Sequence, residues 1–184
     1  HGHILSFEEI ARLVNAATAV GIRKVRLTGG EPLVRRNISR LIRYIREIPA
    51  IDDISLTTNG TLFAPLAEDL QAAGLNRVNF SLDTMVADKY RYITRQGNLD
   101  SVLQAIDKAL ALNMHPVKIN TVLIRGFNDN EIMDFAELAY KKPLHVRFIE
   151  FMPIGDLQFW NQDNIITGRE TINMIKQQYN LTEN

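Results

Sequence analysis

Apolar and polar positions along this chain follow two periods in alternation. Stretches with apolar residues every three to four positions are separated by short runs that change character at every second residue, the signatures of helix and strand. Ser6 and Glu9 have the spacing of a capping box, with Ile10, Leu13, Val14 and Ala17 at helical spacing behind them. Residues 24–28 read as a strand stopped by Gly29-Gly30, and a helix is predicted over 38–48. A second strand, 54–58, stops at Asn59-Gly60; a helix over 65–73 leads to a third strand, 77–82. Val102, Ala105, Ile106, Ala109 and Leu110 share one helical face ahead of a fourth strand, 117–123. Asn128 and Glu131 are placed to cap a further helix, 145–151 reads as the fifth strand, and Thr167 with Glu170 opens the last helix.

Strands separated by helical segments imply βαβ units, a parallel sheet and an α/β fold with right-handed crossovers. Pattern alone leaves two forms open, a partial barrel and an open doubly wound sheet. The strand faces add information, because successive side chains point to opposite sides. One face carries Val25, Leu27, Leu56, Thr58, Val78, Phe80, Leu82, Val117 and Ile119. The other carries Lys24, Arg26, Thr28, Ser55, Thr57, Asn59, Asn79, Ser81, Asp83, Lys118 and Asn120, and Arg147 interrupts an apolar run in the last strand. Parallel strands covered on both sides normally read as continuous apolar runs. The apolar face suits a layer of helices. The polar face must meet water or a ligand, since an unpaired buried cation costs several kcal/mol. It is either the wet side of a sheet or the polar lumen of a barrel-like wall. In the second case Arg26, Lys118 and Arg147 bring positive charge together for an anion such as a phosphate chain, at the carboxyl ends of the strands.

Composition narrows the class. The 184 residues suit a single domain spanning the whole chain, and 46% apolar with 23% charged residues is ordinary for a folded protein. Lys+Arg and Asp+Glu are both 21, so net charge gives no attraction to nucleic acid or to an anionic membrane. There is no cysteine, which excludes disulfides, a thiolate nucleophile and a Cys-ligated zinc or iron–sulfur cluster held by this chain. A cytoplasmic location fits. No apolar run reaches the roughly 18–20 residues of a membrane span. His1-Gly2-His3 resembles a tag remnant and carries no functional weight.

Three strand ends carry candidate chemistry. Thr28-Gly29-Gly30-Glu31-Pro32 opens the backbone to a ligand, and Glu31 is suited to an ammonium group or a nearby Arg; a plain tight turn is the alternative. The run is neither a Walker loop nor a dinucleotide fingerprint. Thr57-Thr58-Asn59-Gly60 also fits turn chemistry, and Ser81-Leu82-Asp83 an Asx-type turn. His115 and His145 stand alone, as surface or packing residues rather than metal ligands, and Lys141-Lys142 reads as a solvated pair.

Taken together these runs resemble the radical S-adenosylmethionine enzymes, and within them the GTP 3′,8-cyclase family of molybdenum cofactor biosynthesis. The resemblance rests on residues 24–36, on Leu56-Thr57-Thr58-Asn59-Gly60, Asn79-Phe80-Ser81-Leu82-Asp83 and Lys118-Ile119-Asn120, and on Arg147-Phe148-Ile149-Glu150-Phe151-Met152-Pro153. Gly-Gly-Glu alone points to the superfamily; the longer Arg-x-x-Gly-Gly-Glu-Pro and Arg-Phe-Ile-Glu-Phe-Met-Pro runs point to the cyclases. It covers almost the whole chain after residue 5.

The resemblance implies a TIM-type partial (β/α)₆ barrel, truncated here to about five βα units of an incomplete core domain. It implies S-adenosylmethionine at the Gly29, Gly30 and Glu31 turn, with Gly30 at the methionine end, and further contacts from Ser81 and from Met152 near the adenine. Arg26, Thr57 and Lys118 fall at positions for GTP, with Arg147 and Lys24 serving the triphosphate. The family's cysteine loop for a [4Fe–4S] cluster and its second cysteine set have no counterpart here, so the segment looks like the middle of a longer enzyme, inactive by itself. The parent reaction would take the C3′ hydrogen of GTP with a 5′-deoxyadenosyl radical and join C3′ to C8, and the family tends toward dimers. A different radical enzyme, such as a peptide-modifying one, and a cluster-free nucleotide-binding module are the competing readings.

Overall fold

A computed structural model describes residues 4–95, 97–152 and 162–182; His1-Gly2-His3 and Pro153 lie outside the described residues. Five parallel strands alternate with helices in an α/β fold. In chain order the elements are α1 (Phe7–Thr18), β1 (Lys24–Leu27), α2 (Ile38–Arg46), β2 (Asp53–Thr58), α3 (Phe63–Ala72), β3 (Arg77–Ser81), α4 (Ala87–Thr94), α5 (Leu99–Ala111), β4 (Val117–Leu123), α6 (Ile132–Lys141), β5 (Leu144–Glu150) and α7 (Gly168–Lys176). Residues up to Phe80 with 100–117 form one compact unit, and residues 81–99 with those from Lys118 onward form a second.

In the first unit β1, β2 and β3 are parallel neighbours. Val25 lies opposite Ile54, and Leu56 opposite Val78. This register lines up the apolar face expected from the alternation. Ile54, Leu56, Val78 and Phe80 are fully buried, as are Phe63 and Ala67 of α3 and Val102, Ala105 and Ala109 of α5. The Phe63 and Phe80 rings meet edge to face with centroids 5.2 Å apart, a favoured aromatic geometry. Gly60 ends β2 with φ of +83°, and a Cβ there would stand 3.0 Å from Val102 Cγ1, so α5 packs close only because the residue is glycine. The Ser6–Glu9 capping box closes α1, with Glu9 N donating to Ser6 Oγ at 3.1 Å and Ser6 N to Glu9 Oε2 at 2.7 Å. The apolar stripe of α1 is only partly covered: Ile10, Val14 and Ala17 are half-buried, and Leu13 is 60% exposed.

In the second unit Leu123, Ile132, Ile166 and Ile175 form a core with Phe148, Met174 and Tyr179 packed against it. The capping box expected at the last helix is present: Glu170 N donates to Thr167 Oγ1 at 3.2 Å and Thr167 N to Glu170 Oε2 at 2.8 Å. Asn128 and Glu131 do not cap a helix. Residues Asp129–Glu131 form a single 3₁₀ turn, Asn128 makes no side-chain cap, and both side chains bond to more distant partners. The helix α4 is absent from the sequence reading. Tyr90 is its one buried residue and its N-cap, Val86, offers no side-chain bond, so neither periodicity nor capping marks it.

Candidate functional site

In the first unit the polar side of β1 is as expected. Lys24 and Arg26 are exposed, and Val25 and Leu27 between them are half-buried. Further along the sheet the expectation that this face meets water or ligand needs correcting. Ser55 and Asn79 are buried, with Ser55 Oγ donating to Val25 O at 3.3 Å and Asn79 Nδ2 to half-buried Thr57 Oγ1 at 3.3 Å. Short side chains can satisfy themselves on neighbouring strands, whereas the long cations of β1 keep their charged ends in water. Arg26 has no ion-pair partner among the described residues. Arg77 grips Asp53 and holds its carboxyl below the ordinary value, with a smaller contribution from the Lys24 charge.

The Gly-Gly-Glu turn follows β1. Gly29 has φ of +145°, which favours glycine, and a Cβ built on either Gly29 or Gly30 would meet nothing within 4 Å. The backbone here faces open space and can be approached closely. Arg26, Gly29, Gly30, Glu31, Arg35 and Ile38 line a cleft of about 360 Å³. Arg35 is held at its edge, with its guanidinium 4.2 Å from the Phe7 ring centroid and donating to Leu5 O. The Glu31 carboxylate bonds within its own turn and to the end of β2. Its Oε1 accepts from Thr58 Oγ1 at 2.7 Å and Leu33 N at 3.1 Å, and its Oε2 accepts from Asn59 N at 2.7 Å. Its partners among the described residues are these neutral donors, not an Arg. Thr58, placed by alternation among the apolar positions, is thus a supporting residue that the alternation alone does not reveal. Asn59 Oδ1 accepts from Thr61 N at 2.9 Å and Gly60 takes a positive φ, in line with the turn chemistry expected of Asn-Gly.

In the second unit Ser81 is exposed at the end of β3, Lys118 is half-buried between buried Val117 and Ile119, and Arg147 is exposed on β5. Met152 is 69% exposed. Asp83 does not bond its own following backbone as the Asx reading expects. Its Oδ1 accepts from Val122 N at 2.8 Å, and burial pushes its pKa above the ordinary carboxylate range. The turn role passes to Thr84, whose Oγ1 accepts from Val86 N at 3.1 Å. His115 and His145 are both exposed. Lys141 pairs with Glu137, while Lys142 is half-buried.

The residues suit an organic ligand on an open glycine turn. They do not fit an iron–sulfur cluster, because the chain has no cysteine and no group of three His, Asp or Glu among the described residues could hold a metal. No helix among the described residues is long and apolar enough to cross a membrane.

Comparison with known proteins gives the family. The family description "Radical SAM superfamily" matches residues 1–139. A GTP 3′,8-cyclase of Syntrophomonas wolfei is 64% identical over 182 residues, covering 99% of this chain and 56% of that protein. One from Desulforamulus reducens is 55% identical over 183 residues, again 56% of the relative's length. The chain therefore spans about half the length of the curated relatives it matches. Among solved structures, methylornithine synthase superposes with a TM-score of 0.69 at 17% identity, covering 95% of this chain and 53% of that one. A radical SAM methyltransferase from Sphaerobacter thermophilus gives 0.68 at 19% identity, covering 93% and 52%. At such identities these structures speak for the fold, while the family match covers most of the sequence: the chain belongs to the radical SAM superfamily.

Proposed function

We propose that this chain is the central part of a GTP 3′,8-cyclase, the enzyme that cyclises GTP in the first step of molybdenum cofactor biosynthesis. The observation that carries the reading is the 64% identity, over 99% of the chain, to a protein of that name. The two compact units then belong to one incomplete core domain. S-adenosylmethionine, when bound, supplies the hydrogen-abstracting chemistry. The Gly29-Gly30 turn offers backbone groups to its methionine end, Ser81 its hydroxyl, and Met152 an apolar, polarisable contact for the adenine. Glu31, the third residue of this cofactor turn, lines the same cleft and is tied to the end of β2.

Arg26, Thr57 and Lys118 bind GTP, with Lys24 and Arg147 directed at the triphosphate. A bound polyphosphate gives such cations charge-assisted hydrogen bonds. Held this way, the ribose is presented to the cofactor in one orientation, which is the protein's main contribution when a cofactor carries the chemistry. The substrate is a free nucleotide, not nucleic acid or a membrane component. The protein works in the cytoplasm, and its full-length form assembles as a homodimer.

The test is equilibrium binding of GTP and guanosine to the 184-residue chain. A clear preference for GTP that weakens with salt supports the reading. Guanosine bound as tightly as GTP would overturn the triphosphate assignment. Purified chain given dithionite, S-adenosylmethionine and GTP is expected to form no cyclised nucleotide, since it has no thiolate to hold a cluster.

A further inference from the structure

The backbone leaving β3 has no regular structure, yet several of its polar groups are taken up by residues 120–131. Leu82 N donates to Asn120 O at 3.0 Å, and Thr121 Oγ1 donates to Leu82 O at 2.8 Å. Asn128 Nδ2 donates to Asp83 O at 2.6 Å and to Val122 O at 2.8 Å, while Asn128 Oδ1 accepts from Ile124 N at 2.7 Å. Glu131 takes the next residues. Its Oε2 accepts from Thr84 Oγ1 and from Met85 N, both at 2.7 Å, and its Oε1 accepts from Lys89 Nζ at 2.8 Å.

Asn128 is 0% exposed and Glu131 1% exposed. Burying a carboxylate is costly unless it is paired and hydrogen-bonded, and here three donors meet it. Irregular backbone inside a protein also needs partners for each N–H and C=O. Past Leu82 these two side chains supply partners for the backbone at Asp83 and Met85. Neither reaches Ser81 itself. What they fix is the path of residues 83–85, and with it the direction in which the chain leaves Ser81 at the exposed end of the strand.

We propose that Asn128 and Glu131 are positioning residues for the S-adenosylmethionine subsite, acting through the Leu82–Met85 turn on the Ser81 hydroxyl. The inference rests on the reading of Ser81 as a cofactor contact. A scaffold role alone would lower stability without touching affinity in any way that depends on Ser81. A role through Ser81 makes the two sites non-additive.

The experiment is a double-mutant cycle on the 184-residue chain, titrated with S-adenosylmethionine by calorimetry. Ser81→Ala is expected to weaken binding about tenfold, as for a lost hydrogen bond to a charged ligand. Glu131→Gln is expected to weaken it about fivefold alone and to add nothing in the Ser81→Ala background. Thr84→Ala removes one donor to the same carboxylate, leaves the Lys89 pair in place, and is expected to behave as a milder Glu131→Gln. It serves as the informative variant should Glu131→Gln not fold. Full affinity in both Glu131→Gln and Thr84→Ala, or an undiminished loss from either in the Ser81→Ala background, would overturn the inference while leaving Ser81 as a contact. Full affinity in Ser81→Ala, or no binding by the unmodified chain, would overturn the reading of Ser81 and the inference with it.

Discussion

Glu31 Oε1 accepts a hydrogen bond from Thr58 Oγ1 at 2.7 Å, tying the turn after β1 to the end of β2. The bond joins two strand ends 27 residues apart in the chain. It leaves the glycines of the turn as the part that faces outward. Thr58 is 2% exposed, so its hydroxyl is a buried donor aimed at a carboxylate. Thr58→Val keeps the shape and removes the donor. The expected result is a loss of about 2 kcal/mol of stability in urea unfolding, typical of a bond to a charged group. An unchanged midpoint would show that the Leu33 N and Asn59 N bonds to Glu31 hold the turn without the threonine.

The two glycines of the turn should separate stability from binding. Neither would meet a neighbour if given a Cβ, but only Gly29 has a positive φ, at +145°. Gly29→Ala is therefore expected to cost about 1 kcal/mol or more from backbone strain. Gly30→Ala should leave the melting temperature within error and reduce S-adenosylmethionine binding, because its methyl group fills space the ligand needs. Gly30→Ala with full affinity would remove the turn from the cofactor site.

Acid sensitivity is expected at α7. The Thr167 backbone bond, with help from Arg125 and the Thr167 hydroxyl, holds Glu170 down to about 2 against an ordinary 4.5. A depressed folded value contributes stability that is complete above about pH 4.5 and fades as pH falls toward 2. Glu170→Gln keeps a capping acceptor but cannot titrate. The difference in melting temperature between the two proteins should be constant at neutral pH and vanish near pH 2. A difference independent of pH would contradict this.

Asp83 has the opposite sign. Burial raises its folded value above the ordinary 3.8, so its stabilising contribution is full below that pH and is lost as pH rises through the raised value. Asp83→Asn retains an Oδ1 acceptor for Val122 N and removes the buried charge. It should be more stable than the unmodified protein at pH 7 and equal to it below pH 3.8. Destabilisation at pH 7 would mean that the charge itself is needed there.

What was legible in the sequence follows the range of the interactions. The boxes at Ser6–Glu9 and Thr167–Glu170 span three residues each, and both form as spaced. The alternation of Lys24, Val25, Arg26 and Leu27 is also local, and burial follows it. Asn128 and Glu131 show the same three-residue spacing but fail as a box, because partners around Asp83 and Thr84 compete for their side chains. Nothing in the local pattern near Glu31 reveals Thr58, and nothing near Ser55 shows that its hydroxyl will find Val25 O. Composition alone sufficed for the absence of cysteine, and that single fact separates the cluster chemistry of the family from what this chain can hold.

The most direct test of the account is GTP affinity in Arg26→Ala and Lys118→Ala, each measured by calorimetry on a protein whose melting temperature is checked first. Each substitution removes one of the cations proposed to bind GTP. The expected result is a loss of about tenfold or more in each variant, the scale of one charge-assisted hydrogen bond. GTP bound equally well by both variants and by the unmodified chain would contradict the assignment of these two residues to the nucleotide.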